Sequence, residues 1–381
     1  MTLQQRRVVG VNLLWIVPGE VGGSEEYTVR LLAALSEVEQ EDVDVILYVN
    51  QQFTAAHPEV AASFTTRVAP VSGASRLLRV ITESTWLAVT TRSDGCALVH
   101  HAGGTMPSIR TAPGVITIHD LQPFANPERF GLLKRTYIRF VVPRSLRKAQ
   151  AVVSLSDFVA NDVVDRVGIN RSLVRKIPCG VGDPGAAFDK QRRDELLMRL
   201  DLVDRPFIMY PAISYPHKNH ITLVAAFAQI ARDRPELRLV FTGGAGGSDG
   251  LVTSTIAAYG LDEKVVRTGR ISESDLDLLY RAATVMAFPS LYEGFGLPML
   301  EAMSRGCPVV ASTAGALPEV IGDAGLLVDP VDVTSWANAL GELMDDATRR
   351  TVFVRLGFAR AKTFSWTDSA ERLLSLYREN R

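Results

Sequence analysis

Short, nearly continuous apolar runs alternate along this chain with longer stretches whose apolar residues recur at helical spacing. The first run, Arg7 to Leu14, predicts a buried strand. The loop Pro18-Gly19-Glu20-Val21-Gly22-Gly23 then leads into a helix expected to be capped by Ser24, with Glu25 and Glu26 in its first turn. Further strand-like runs lie at Val43 to Val49, Ala97 to His100, Val115 to His119 and Ala151 to Leu155. The alternation then resumes. Strands are expected at Phe207 to Tyr210, Leu237 to Thr242, Lys264 to Thr268 and Val285 to Phe288, and helices from about Asn219, from Asp249 and over Ser272 to Ala282. Such alternation predicts an α/β fold with open, mostly parallel sheets covered by helices, in two halves in series.

The junction is expected in Ile177-Pro178-Cys179-Gly180-Val181-Gly182-Asp183-Pro184-Gly185, which is dense in helix and strand breakers and precedes the charged segment Asp189 to Arg205. This divides the chain into residues 1–188, 189–364 and a terminal segment 365–381. The helix of that segment, Ser365 to Glu379, has its own apolar stripe and could dock on either half. At 381 residues, two cores are the natural expectation.

Composition narrows the classes. A net charge of −1 with 47% hydrophobic residues excludes a disordered or strongly basic chain, so no nucleic-acid partner is expected. Cys96, Cys179 and Cys307 are odd in number and far apart, which argues for a reducing compartment. With no long apolar run, the expectation is a cytoplasmic protein. One stretch departs from this balance. Arg129, Lys134, Arg135, Arg139, Arg144, Arg147 and Lys148 are interleaved with Leu132, Tyr137, Ile138 and Phe140, with no acid among them. Three readings stand: a solvated helix face, an interfacial helix in peripheral contact with the anionic inner face of a membrane, or an anionic acceptor.

The densest chemistry lies in Pro289-Ser290-Leu291-Tyr292-Glu293-Gly294-Phe295-Gly296-Leu297-Pro298 and on to Glu301. Pro298 marks a first helical turn, so Glu293 falls on a loop and Glu301 one turn into a helix. The amides of Phe295, Gly296 and Leu297 lie at the positive end of that helix, an anion-binding arrangement. His119 and Asp120 stand at the end of a predicted strand, where open α/β sheets bind ligands. No Gly-x-Gly-x-x-Gly fingerprint follows the first strand, and no Gly-Lys pair exists to build a P-loop. Asp42/Asp44 and Asp275/Asp277 have Asp-x-Asp spacing but read as surface acids. His217 and His220 share one helical face without a third ligand, so no metal is expected.

These residues resemble retaining glycosyltransferase family 4. The Glu293-x7-Glu301 signature is followed by Gly306-Cys307-Pro308-Val309-Val310-Ala311-Ser312. Gly22-Gly23, Thr117-Ile118-His119-Asp120, Pro178-Cys179-Gly180-Val181 and Pro216-His217-Lys218-Asn219 are similar to further family segments. The resemblance implies a GT-B fold: two Rossmann-like, doubly wound domains facing across a cleft. The acceptor would lie in the N-terminal domain, the nucleotide-sugar donor in the C-terminal one, and the last helix would return to the N-terminal domain.

The resemblance also implies roles. Glu301 would clamp the ribose, Glu293 would face the transferred sugar, Lys218 would neutralise the diphosphate, and Gly22, Gly23, Ile271, Phe295, Gly296 and Leu297 would cradle the donor. His119 would meet the donor sugar from the other domain. The expected activity is transfer of mannose from GDP-mannose, without cofactor or metal, to a saccharide or lipid-linked acceptor with an α-glycosidic link. One position departs: many members carry arginine six residues before the lysine, where this chain has Ala212, so His217 or Arg270 would substitute or Lys218 and the helix amides would do more. Two rivals stay open, a sugar-nucleotide epimerase of the same fold and a non-catalytic nucleotide-sugar-binding partner.

Overall fold

The computed structural model describes residues 6–19, 22–125, 127, 131–182 and 189–380. They form two compact units, one running through Gly180 and taking in Ser365 onward, the other Val181–Phe364. The boundary expected at 188, like Arg129 at the start of the basic stretch, lies outside the described residues.

The first unit is built on a parallel sheet of β1 (Arg7–Asn12), β2 (Val43–Val49), β3 (Thr65–Val68), β4 (Leu98–His101), β5 (Gly114–Ile118), β6 (Ala151–Ser154) and β7 (Val174–Lys176), ordered β3-β2-β1-β4-β5-β6-β7. Every residue of β4, β5 and β6 is buried, as expected where helices cover both faces. The order reverses direction between β1 and β4, whose ends pair Asn12 with His101. The helix Trp366–Glu379 packs on this unit. Its Tyr377 hydroxyl lies 2.7 Å from His100 Nδ1, Ser369 donates to the Pro178 carbonyl, and Arg378 pairs with Asp42 at 2.6 Å.

The second unit is a parallel sheet of β8 (Phe207–Pro211), β9 (Arg238–Thr242), β10 (Val265–Gly269), β11 (Val285–Phe288), β12 (Val309–Ser312) and β13 (Gly325–Val328), ordered β10-β9-β8-β11-β12-β13. Here the reversal falls between β8 and β11. In such sheets the loops leaving the two strands diverge and open a crevice between them.

Several local expectations are corrected. The helix after β1 spans Gly23–Glu37 and its N-cap is Gly22, not Ser24. Gly22 has φ +65°, which a glycine adopts without strain, and its carbonyl accepts the amides of Glu25 and Glu26. His217 and His220 do not share a helix face: His217 lies in the 3₁₀ turn Pro216–Lys218, while His220 opens the helix His220–Ile230, buried against Tyr210 and Phe241. Strands β3, β7, β12 and β13 were not predicted. β3 (Thr-Thr-Arg-Val) and β7 (Val-Arg-Lys) are short edge strands with too few apolar residues to stand out.

Candidate active site

In the second unit the site is assembled by two loops leaving the switch point. After β8 the chain runs through Ala212 to the turn Pro216–Lys218. It then passes Asn219, a left-handed residue (φ 57°) whose side-chain amide donates to the carbonyls of Pro289 and Pro330. After β11 the loop from Pro289 reaches Gly296, left-handed at φ 103°, and the helix Leu297–Ser304. Tyr210 fastens the loops together. Its buried hydroxyl donates to the Lys218 carbonyl at 2.8 Å and lies 3.1 Å from Ser290 Oγ. The Leu291 amide donates to the His217 carbonyl at 2.7 Å.

The consequence is an ion pair across the switch point. Lys218 Nζ lies 2.6 Å from Glu293 Oε1, with side chains 21% and 14% exposed, and the ammonium stands 5.8 Å from the Phe288 ring centre. Glu293 is held from behind: its carbonyl accepts the Ala316 amide at 3.0 Å, and Gly315, at φ +63°, packs directly on its backbone. Immediately beyond come Phe295, the cap residue Gly296 and Leu297, the first residue of the helix; Pro298 has no N–H and the Met299 amide donates to the Gly296 carbonyl, so the Gly296 and Leu297 amides are those left at the helix start. At Gly296, φ +103° strains any other residue, and a Cβ there would press on Leu317 Cδ2 at 2.7 Å. Glu301, one turn in, accepts a hydrogen bond from the Tyr280 hydroxyl at 3.2 Å. Ile271 is half-buried in the loop between β10 and the helix Glu273–Ala282, where Ser272 caps by accepting the Asp275 amide. Lys218 and Glu293 thus meet where the loops after β8 and β11 diverge, and the helix Leu297–Ser304 begins four residues after Glu293. Their chemistry is that of an anionic ligand with hydroxyls beside it.

His119 follows β5 in the first unit. Its Nε2 lies 2.9 Å from the Ala102 carbonyl, its ring packs on Trp15 and edge-on to Tyr27, and Nδ1 is buried with no partner. A carbonyl only accepts, so Nε2 carries the proton and Nδ1 is a bare acceptor. Burial pushes the His119 pKa down to about 4, so the ring is neutral near pH 7. At Gly22 and Gly23 an added Cβ would meet nothing within 4 Å, which leaves their backbone open to a ligand.

The Asp-x-Asp pairs are spoken for by arginines: Asp42 by Arg378, Asp44 by Arg6, Asp275 by Arg192 and Arg199, Asp277 by Arg281 and Arg305. Asn12, Glu83 and His101, which meet at the switch point of the first sheet, were missed by the sequence reading. Asparagine and histidine at the ends of apolar runs were the available signal, and the partner glutamate lies far along the chain.

Two family models match the chain. One described as Glycosyltransferase Family 4 covers residues 21–183, and one described as Glycosyl transferases group 1 covers residues 197–358. The O-antigen chain mannosyltransferase B of Escherichia coli is 30% identical over 288 residues, covering 74% of this chain and 74% of that protein. The D-inositol 3-phosphate glycosyltransferase of Salinispora tropica is 34% identical over 61% of this chain and 51% of its own length. Among solved structures, sucrose-phosphate synthase from Thermosynechococcus elongatus has a TM-score of 0.78 at 23% identity, covering 98% of this chain and 99% of that one. Anabaena HepE in complex with UDP and glucose has a TM-score of 0.78 at 20% identity, covering 98% and 100%.

Proposed function

Because the chain belongs to glycosyltransferase family 4 and has the GT-B type of fold, we propose that it transfers mannose from GDP-mannose to a saccharide or lipid-linked acceptor, with retention of the α-configuration. The observation that carries this reading is the Lys218–Glu293 pair beside the first-turn amides of the helix Leu297–Ser304. A diphosphate brings charge that Lys218 and the amides neutralise, while Glu293 and Glu301 accept hydroxyls of the sugar and the ribose. The bond between the anomeric carbon and the diphosphate oxygen breaks, and the acceptor hydroxyl oxygen bonds to that carbon from the same face. The hydroxyl proton passes to the departing diphosphate. Lys218 offsets the charge that grows on the diphosphate, and Glu293 offsets the charge that grows on the sugar ring. His119 Nδ1 accepts a hydrogen bond from a substrate hydroxyl. The choice of mannose is supported by relatives named as mannosyltransferases. Proton NMR of the product of GDP-mannose and octyl α-mannoside tests the reading: an α-anomeric signal is expected, and a β-signal overturns retention. Transfer from UDP-glucose but not from GDP-mannose overturns the donor.

A peripheral membrane contact belongs to the same proposal. Leu77, Leu78, Ile81, Leu132, Tyr137 and Phe140 are exposed on the helices Arg76–Ser84 and Leu132–Leu146, and Arg76, Arg139 and Arg144 are exposed beside them. No described helix is long and apolar enough to cross a membrane. Exposed apolar residues among basic ones suit an anionic bilayer surface. Cosedimentation with phosphatidylglycerol vesicles, weakened by salt, is the expected result, and equal binding to neutral vesicles overturns it.

A further inference from the structure

The first sheet reverses direction between β1 and β4, as the second does between β8 and β11, and its switch point holds polar groups with no part in the donor chemistry above. Asn12 and His101, paired at the ends of those strands, are each 2% exposed. The Asn12 orientation is fixed because its Oδ1 accepts the Leu14 amide at 3.2 Å. Its Nδ2 therefore donates, to Glu83 Oε1 at 3.3 Å and to His101 Nδ1 at 3.3 Å. An imidazole that accepts at Nδ1 carries its proton at Nε2 when neutral. Burial keeps His101 neutral, with its pKa pushed down to about 3.

That Nε2–H is buried and has no partner. His101 and Glu83 both line a cavity of about 10 Å³, walled by Leu87, Val99 and Ile109 with Arg110 at its edge. The space suits one water or one hydroxyl group. Burial raises the Glu83 carboxyl pKa, while the Asn12 hydrogen bond and Arg79 oppose that shift. A donor and an acceptor flanking a hydroxyl-sized space match the two hydrogen-bonding capacities of an alcohol: the hydroxyl accepts from imidazole and donates to carboxyl.

We propose that Glu83 and His101, set by Asn12, form a subsite for one hydroxyl of the acceptor saccharide. This rests on the reading of the chain as a transferase to a saccharide, and assigns residues that fix which acceptor hydroxyls are recognised. Glu83 itself lies on the helix Arg76–Ser84, whose Leu77, Leu78 and Ile81 are exposed, so a sugar held here would sit near the anchor of a lipid-linked acceptor.

Saturation-transfer NMR on the full chain with octyl glycosides of mannose, glucose, galactose and N-acetylglucosamine reads the subsite directly, beside separate titrations of GDP-mannose. The wild type is expected to saturate at least one glycoside. Glu83→Gln, which keeps the size and the Asn12 contact, and His101→Phe, which removes the Nε2 donor together with the Nδ1 acceptor of Asn12, are both expected to weaken it about tenfold or more. GDP-mannose affinity is expected to stay unchanged in both. No saturation of any glycoside by the wild type, or undiminished saturation in either folded variant, overturns the subsite. Absence of GDP-mannose binding to the wild type would instead overturn the function proposed above, since the glycoside signal does not depend on it.

Discussion

Lys218 and Glu293 reach each other at 2.6 Å from loops that leave adjacent strands in opposite directions. Neither side chain is exposed beyond about a fifth, so water screens the pair only in part. In the proposed reaction a diphosphate would compete for Lys218 and free Glu293 for sugar hydroxyls, so the pair would be exchanged when the donor binds.

Lys218→Ala removes the cation and leaves the Glu293 carboxylate facing any incoming diphosphate. GDP-mannose affinity is expected to fall about 100-fold by calorimetry, from lost attraction plus new repulsion. The loss should be larger at low than at high ionic strength. An affinity within a factor of about two of wild type would remove Lys218 from the donor site.

Gly315→Ala tests Glu293 without altering its chemistry. A Cβ at Gly315 would overlap the Glu293 carbonyl oxygen and stand 2.8 Å from its nitrogen, and the φ of +63° adds strain. The variant is expected to be about 1–3 kcal/mol less stable. Its turnover should fall about tenfold or more while nucleotide affinity changes less, because the carboxylate moves and Lys218 does not. Turnover equal to wild type would contradict the placement of Glu293 at the transferred sugar.

How much of this was legible in the sequence follows from where the physics is local. Glu293, the glycines around Phe295 and the proline-marked helix start lie in one stretch, so their arrangement could be read directly. The meeting of Lys218 with Glu293 could be expected only through the family resemblance, because it depends on which strands become neighbours. Asn12, Glu83 and His101 could not be joined from the sequence for the same reason: strand pairing joins two of them and a helix brings the third. Ser24 was misread as a cap because Gly22, at positive φ, ends the loop earlier than its sequence suggests.

His119→Ala is expected to leave GDP-mannose affinity within about twofold and to cut turnover about 100-fold, since one buried acceptor on the substrate is lost. His119→Asn should restore part of the turnover by returning an acceptor. Equal turnover in wild type and His119→Ala, by product formation under saturating donor, would remove the residue from the reaction.

The buried histidines predict a pH response of stability. Burial lowers the pKa of His100 and His101 to about 3 and of His119 and His220 to about 4, against about 6.5 unfolded. Below about pH 6.5 the unfolded chain binds more protons than the folded one. Stability is therefore complete above that value and falls as pH drops towards 4, by up to about 1.4 kcal/mol per pH unit per histidine. Glu83, with a raised pKa, acts in the opposite direction and offsets part of this. Denaturant midpoints of the full chain, followed by tryptophan fluorescence, should be lower at pH 5 than at pH 7. A flat profile would mean these rings titrate normally.

Calorimetric titration of GDP-mannose into the wild type and Glu301→Ala tests the central claim, that the crevice between β8 and β11 is the nucleotide-sugar site. Glu301 stands one helical turn from the amides, hydrogen-bonded by Tyr280, and accepts the ribose hydroxyls in this account. The account predicts saturable binding to the wild type and about 10- to 100-fold weaker binding to Glu301→Ala. Equal affinity in the two proteins would contradict it.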